Sequence, residues 1–179
     1  MLWIKKSIII ICLWAMSCEL HDPVFDNSLD LEVAAKKGIF PPAIVLFPNY
    51  LEGNMGTTAE IQVYALEVNN VGMAQIPVYY DPGKLAVESV VQGSLFQGGN
   101  EPFFLTDNDP QNGVLTIYIT FLGPEGNSVG GTGDIALINF KPNSTGAAEL
   151  NIGQESILLD SNAKEIVLKG YGKGMIDVR

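Results

Sequence analysis

The chain is poor in residues able to cross-link or to do covalent chemistry, and the few it has are crowded at its start. Both tryptophans, Trp3 and Trp14, and one of the two cysteines, Cys12, fall before position 18, and the single histidine is His21. With that first stretch removed, Cys18 is the only cysteine left. This excludes an internal disulfide, so an exported domain of this sequence must be held by its core. A nucleophile–base pair would lack its usual histidine, and no thiol other than Cys18 could replace it. Carboxylate pairs for glycoside hydrolysis need a defined separation across a cleft, and the twenty acidic residues of this chain make chance pairs unavoidable. An enzyme is not expected.

Positive charge is also scarce. Ten basic residues stand against twenty acidic ones, and Lys5 and Lys6 belong to the first stretch, so the remainder carries eight against twenty, a net charge of −12. Nucleic acid is excluded as a partner, because its binding depends on Lys and Arg neutralising phosphates. The acidity fits solubility outside the cell.

Long hydrophobic runs are confined to the start. Lys5 and Lys6 precede an apolar stretch from Ser7 to Met16, the layout of a signal peptide, and the run is too short for a membrane span of about 20 residues. It ends in Ala15-Met16-Ser17-Cys18, which resembles a lipobox, with Ala15 where the commonest form has Leu. The expectation is a lipidated Cys18 and a place in the bacterial cell envelope, at the outer membrane or cell surface. More than one acyl chain holds a protein firmly at a membrane. The other open reading is an ordinary signal peptide cut nearby, leaving Cys18 as a free thiol. Residues 1–17 are thus assigned to a signal peptide, 18–42 to an anchor and tether, and 43–179 to one domain. In the tether a short helix is expected, with Asn27 as cap, Lys36 and Lys37 in its last turn, and Gly38 as its stop.

After Pro42 the pattern is short runs of alternating apolar residues separated by Gly, Asn, Asp and Pro, the signature of an antiparallel β-sandwich. Strands are expected near 43–48, 59–68, 73–80, 85–92, 102–106, 113–122, 133–141, 146–152, 155–159, 165–169 and 174–178. In 73–80, Ala74, Ile76, Val78 and Tyr80 share one face, and Met73, Gln75, Pro77 and Tyr79 share the other. Leu115, Ile117, Ile119 and Phe121 likewise alternate with Thr116, Tyr118 and Thr120. Pro77 cannot donate to a ladder, so its strand should lie at an edge or be bulged there. Turns are expected at Asn69-Asn70, Asp81-Pro82-Gly83 and Asn108 to Gly113, among others.

Three stretches carry a family likeness. Tyr80-Asp81-Pro82-Gly83-Lys84-Leu85 leads to Val87-Glu88-Ser89-Val90 and then to Gly93-Ser94-Leu95-Phe96; Gly131-Thr132-Gly133-Asp134-Ile135-Ala136-Leu137-Ile138-Asn139-Phe140 follows; and Leu159-Asp160-Ser161-Asn162 sits inside Ser156 to Ile166. In this order they resemble the cohesin family over residues 43–169. The resemblance implies an all-β jelly-roll sandwich of about nine strands, related in architecture to carbohydrate-binding modules. It also implies a protein receptor: cohesins grip the calcium-loaded dockerin of a partner enzyme on one flat sheet face, in assemblies that degrade polysaccharide. Two departures bear on the partner. Where type I cohesins place an Asn and an Asp to bond the dockerin, this chain has Met73 and Gln75, and the Thr116 to Leu122 strand lacks an acidic residue that some members carry near its end.

The outward residues Met73, Gln75, Pro77 and Tyr79, beside Thr116, Tyr118 and Thr120, form a candidate partner-binding patch, extended by Leu137 and Asn139. It is apolar for a solvated sheet, which marks either a contact surface or a face covered by a loop or by the tether. The alternative function is a carbohydrate-binding surface lipoprotein, with Tyr64, Tyr79, Tyr118, Phe103 or Phe104 stacking on sugars. Lack of tryptophan weighs against it, and packing within the sandwich would use the same rings. No cofactor is expected, with one open case: Asp107, Asp109 and Asn112 offer oxygens to a calcium ion, and an Asx-rich hairpin turn has the same composition without metal.

Overall fold

The computed structural model describes residues 27–97, 102–122 and 127–179. The signal peptide and Cys18 lie outside the described residues. In chain order the elements are α1 (Leu31–Lys36), β1 (Ala43–Phe47), β2 (Tyr50–Gly53), β3 (Ala59–Tyr80), β4 (Leu85–Gln92), β5 (Phe103–Asp109), β6 (Val114–Thr120), β7 (Val129–Pro142), β8 (Gly146–Ile152), β9 (Ile157–Asp160), β10 (Gly170–Tyr171) and β11 (Lys173–Val178). Among the described residues no helix is long and apolar enough to cross a membrane.

Two layers share one strand. The first runs β4-β7-β3-β1-β10, and the second runs β5-β6-β3, then β9 and β8 end to end along β3, then β11 and β2. The first half of β3 pairs with β1 and β7, and its second half pairs with β6, β8 and β9. The strand is 22 residues long because the turn expected at Asn69-Asn70 is a bend within it. Glu67 and Asn70 take positive φ values of 44° and 58°, and the register with β7 slips between Ala65 and Val71. Bulges of this kind bend a strand and let it change sheets without breaking.

The alternation read from the sequence matches the observed burial. Ala74, Ile76, Val78 and Tyr80 of β3 and Leu115, Ile117 and Ile119 of β6 point inward, and Ile61, Val63, Ile138 and Phe140 face them from the first layer. The Phe140 ring lies 5.7 Å from that of Tyr80.

The strand inventory needs three corrections. Among the described residues there are eleven strands rather than about nine, with β2 and β10 as short additions at the sheet margins. The sandwich is not purely antiparallel, since β1 pairs with β10 and β11 with β2 in parallel. Residues 165–169 form no strand. Asp160 Oδ1 accepts from the Asn162 and Lys164 amides, Ile166 bonds back to Leu158, and Lys169 reaches Pro42, so this stretch divides its bonds between two neighbours and builds no ladder. From there the chain crosses between layers at Gly172, where a Cβ would sit 2.6 Å from Val45 Cα. Only glycine fits that crossing.

The helix begins one turn later than expected. Asp30 is its cap, accepting from the Glu32 and Val33 amides at 2.8 and 3.3 Å, while Asn27 shapes the preceding turn by accepting from Leu29 N. Lys36 does occupy the last turn, and Gly38 follows with φ +75°. Ala34 is buried against Ala43, Val45 and Leu66, and Ser28 Oγ donates to Leu46 O at 2.7 Å. From Asn27 onward the segment assigned to the tether is therefore packed on the outer side of the first layer.

Replacing Phe140 by Ala should cost about 3–5 kcal/mol of stability, and Asp30→Ala about 1 kcal/mol through loss of the cap. Urea unfolding midpoints check both, and equal small losses would contradict the burial assigned to Phe140.

Candidate partner-binding face

The six residues singled out as partner-binding come together on the outer side of the second layer. Cross-strand register sets them in rows. Phe103, Thr120, Met73 and Leu159 form one row, and Leu105, Tyr118, Gln75 and Ile157 form the next. Asp107, Thr116 and Pro77 make a third, and Asp109, Val114, Tyr79 and Asn151 a fourth. Phe103 and Leu105 are 48% and 50% exposed, Tyr79 39% and Ile157 37%, whereas Met73, Gln75, Thr116, Tyr118 and Thr120 between them are half-buried. Leu122 stands out at the end of β6, 62% exposed. Phe103, Leu105, Tyr79 and Ile157 thus leave apolar surface exposed on this side of the layer.

Two details of the face were not foreseen. Its flanks come from β5 and β9, through Leu105, Ile157 and Leu159, where the signal available was the period-two pattern of Phe103, Leu105 and Asp107. Leu137 and Asn139, by contrast, do not extend it. They lie on β7 in the first layer, where Asn139 Nδ2 donates to Ser89 Oγ at 2.8 Å.

Pro77 is neither at a sheet edge nor in a bulge. It is buried, pairs with Thr116 of β6 on one side, and on the other faces the gap between the end of β8 at Ile152 and the start of β9 at Ile157. Its carbonyl accepts from Gly153 N at 2.9 Å, and no neighbouring acceptor in that gap needs the donor that proline lacks. The loop bridging the gap carries Glu155 over the face, where Tyr79 Oη donates to Glu155 Oε1. That hydrogen bond, with some desolvation and the carboxylate charge, raises the Tyr79 phenol above its ordinary pKa.

Asp109, proposed as a calcium ligand with Asp107 and Asn112, spends its carboxylate on its own turn. Oδ1 accepts from the Gln111 and Asn112 amides and Oδ2 from Asn112 Nδ2 at 2.6 Å. The Asn112 side chain foremost, with these amides, holds the Asp109 carboxyl below its ordinary pKa. Among the described residues no group of three or more His, Cys, Asp or Glu is placed to hold a metal ion.

The rings considered for sugar stacking divide between the layers. Tyr64 packs edge-on against Phe47, with centroids 6.0 Å apart, beside the residues that α1 covers, and Phe104 lies against the core. Phe103, Tyr79 and Tyr118 remain on the outer face of the second layer. A cavity of about 190 Å³ lies on the opposite layer, between α1 and β1, lined by Ala34, Ile39, Val45 and Leu46 among others.

The cohesin domain model matches residues 47–176. The chain belongs to the cohesin family. Solved cohesins share its fold at low sequence identity. A non-cellulosomal cohesin from the archaeon Archaeoglobus fulgidus superposes with a TM-score of 0.62 at 18% identity, covering 76% of this chain and 91% of that one. The sixth cohesin of scaffoldin B from Acetivibrio cellulolyticus, solved with a Cel5 dockerin mutant, gives 0.61 at 22% identity over 76% and 96%. A type I cohesin–dockerin complex from Clostridium thermocellum gives 0.63 at 17% identity over 76% and 94%. Among curated protein sequences none matches this cohesin.

The stretches that carried the family likeness build the fold. Asp81 closes its turn onto Gly83 N at 2.9 Å, Phe96 is fully buried, and a Cβ at Gly93 would sit 2.3 Å from Asp134 O. Ionised Tyr79 would face the Glu155 carboxylate, so the proton is held to higher pH. Glu155→Ala should bring the Tyr79 midpoint down toward the usual value of about 10, read by NMR of ring-labelled tyrosine, and an unchanged midpoint would count against the contact.

Proposed function

We propose that this cohesin is a non-catalytic receptor that takes the dockerin of another exported protein on the outer face of the second layer. Cys18 holds it at the bacterial envelope through a lipid anchor, and the assembly serves polysaccharide degradation. One observation carries the reading: Met73, Gln75, Tyr79, Thr116, Tyr118 and Thr120 share a partly apolar sheet face, and the docked N-terminal segment lies on the other layer. From Asn27 onward the described part of the tether lies away from this face. Membership of a family with dockerin-bound relatives supports the choice of partner. With Asp109 bonded within its own hairpin, a calcium requirement would come with the dockerin.

A glycan is the second reading, favoured by Phe103, Tyr79 and Tyr118 lying on the same face. Exposed rings of this kind can stack on sugars, though a tryptophan would do so more strongly.

Capture experiments with immobilised protein against purified dockerins and a glycan panel separate the two. Calcium-dependent retention of a dockerin supports the first reading, and salt-insensitive retention of a polysaccharide without dockerin binding replaces it with the second. Tyr118→Ala should weaken the interaction by about 1–2 kcal/mol while leaving the urea midpoint nearly unchanged, and undiminished affinity would remove this face from the account. For the anchor, Cys18→Ala should release the protein from the membrane fraction into the medium; retention of the variant would contradict lipidation at that residue.

A further inference from the structure

The cavity of about 190 Å³ between α1 and β1 lies beside the point where the chain crosses between the layers, and none of the six residues assigned to the partner lines it. Short residues leave the space open. Ser28, Ala34 and Gly172 are buried in its wall, and Ile39, Val45 and Leu46 complete an apolar interior. A Cβ at Gly172 would sit 2.6 Å from Val45 Cα, so the crossing admits no side chain on that wall. The Ser28 hydroxyl is already spent on Leu46 O at 2.7 Å, and the interior therefore presents no side-chain polar group that needs a partner. An apolar cavity of this kind holds no ordered water and takes apolar molecules, about 150 Å³ being enough for benzene.

The mouth has the opposite character. Lys37, from the end of α1, and Lys173, from the start of β11, are exposed and share the opening with Asn49, and among the described residues no carboxylate lines the cavity. Lys37 and Asn49 each have an interaction partner of their own. The Lys173 ammonium makes no ion pair among the described residues. Glu149 stands beyond the rim, in the depression that continues past the same three residues. Eight bases against twenty acids leave this surface strongly negative elsewhere, so two lysines brought to one opening from distant parts of the chain set a local field that favours an anion. An apolar interior with a few polar groups at its entrance is the usual composition of a small-molecule site.

We propose that this cavity binds a small monocarboxylate with an apolar body of about six or seven carbons, the body among Ala34, Ile39, Val45 and Leu46 and the carboxylate on Lys173, with Lys37 and Asn49 beside it. The site is additional to the dockerin receptor and stands without it. An uncharged molecule of the same shape would fill the interior and forgo the ammonium. A cation would meet two like charges at the entrance.

The probes are para-methylbenzoate, para-methylbenzamide and para-methylbenzylamine, alike in body and different in charge, each titrated into the ¹⁵N-labelled protein. The benzoate should shift the amides of Ile39, Val45 and Gly172 with a Kd of about 1 mM or tighter, and its methyl group should give nuclear Overhauser contacts to the methyls of Ala34 and Ile39. The benzamide should bind at least about threefold more weakly, the benzylamine more weakly still, and the advantage of the benzoate should shrink as salt is raised. Lys173→Gln should remove most of the preference for benzoate over benzamide with the urea midpoint unchanged. Ala34→Leu, which places a larger side chain in the cavity, should abolish binding of all three; if that variant does not fold, Lys173→Gln decides alone. Equal affinity for the three probes, or an unaltered preference in Lys173→Gln, would overturn the assignment of a carboxylate. Shifts confined to Phe103, Tyr118 and their neighbours would overturn the location, and no shift at about 10 mM benzoate, an affinity too weak to be specific, would overturn the site. Each of these results leaves dockerin capture to decide the receptor reading separately.

Discussion

One strand belongs to both layers of this cohesin, and the remaining architecture is arranged around it. β3 pairs with β1 and β7 along its first half and with β6, β8 and β9 along its second. Its inward residues, Ile61 and Val63 before the bend and Ala74, Ile76 and Val78 after it, supply opposite walls of a single core. The bend at Glu67 and Asn70 is what allows this, and both residues take left-handed φ values there. Non-glycine residues accept that conformation only where the surrounding structure imposes it. Without a disulfide available, the two layers are held by this shared strand and by the apolar surface it helps to bury.

The two outer sides of the sandwich have been put to different uses. On the first layer, α1 and the chain before it bury Ala34, Ala43, Val45 and Leu66, and Ser28 is bonded to the β1 backbone. On the second, Phe103, Leu105, Tyr79 and Ile157 stand exposed around half-buried neighbours. Of the residues that mark the family, the Asp81 turn, Gly93 and Phe96 serve the fold, while Leu159 lies on this face. The chain keeps the architecture of the solved cohesins at 17–22% identity and carries Met73 and Gln75 on this face.

The layers, the inward set and the outward set were legible because a period-two alternation survives in β3 and β6. Thr116, Tyr118 and Thr120 on one strand and Met73, Gln75 and Tyr79 on another were each readable as outward sets from that pattern, and the pairing of β3 with β6 sets them side by side. Three things were hidden. Asn69-Asn70 has the composition of a turn, yet the strand pairs on through it, and long-range pairing decides between a bend and a break. The capping residue moved from Asn27 to Asp30 because both are good caps and only the packing of Ala34 fixes the helix start. Leu137 and Asn139 alternate as cleanly as Tyr118 does, but alternation tells which residues share a side of one strand and is silent on which layer the strand joins.

The placement of the N-terminal segment also decides how the molecule would carry tension. A pull between the start of β1 and a partner seated on the second layer must cross the ladder from Ala43↔Leu66 to Phe47↔Gln62 and pass into β3, the same strand that presents Met73, Gln75 and Tyr79. A load entering along the strand axis strains those backbone bonds together, in shear, instead of opening them one by one. The route from β1 to the outer side of the second layer is a single continuous strand, and that is the geometry of a mechanical link.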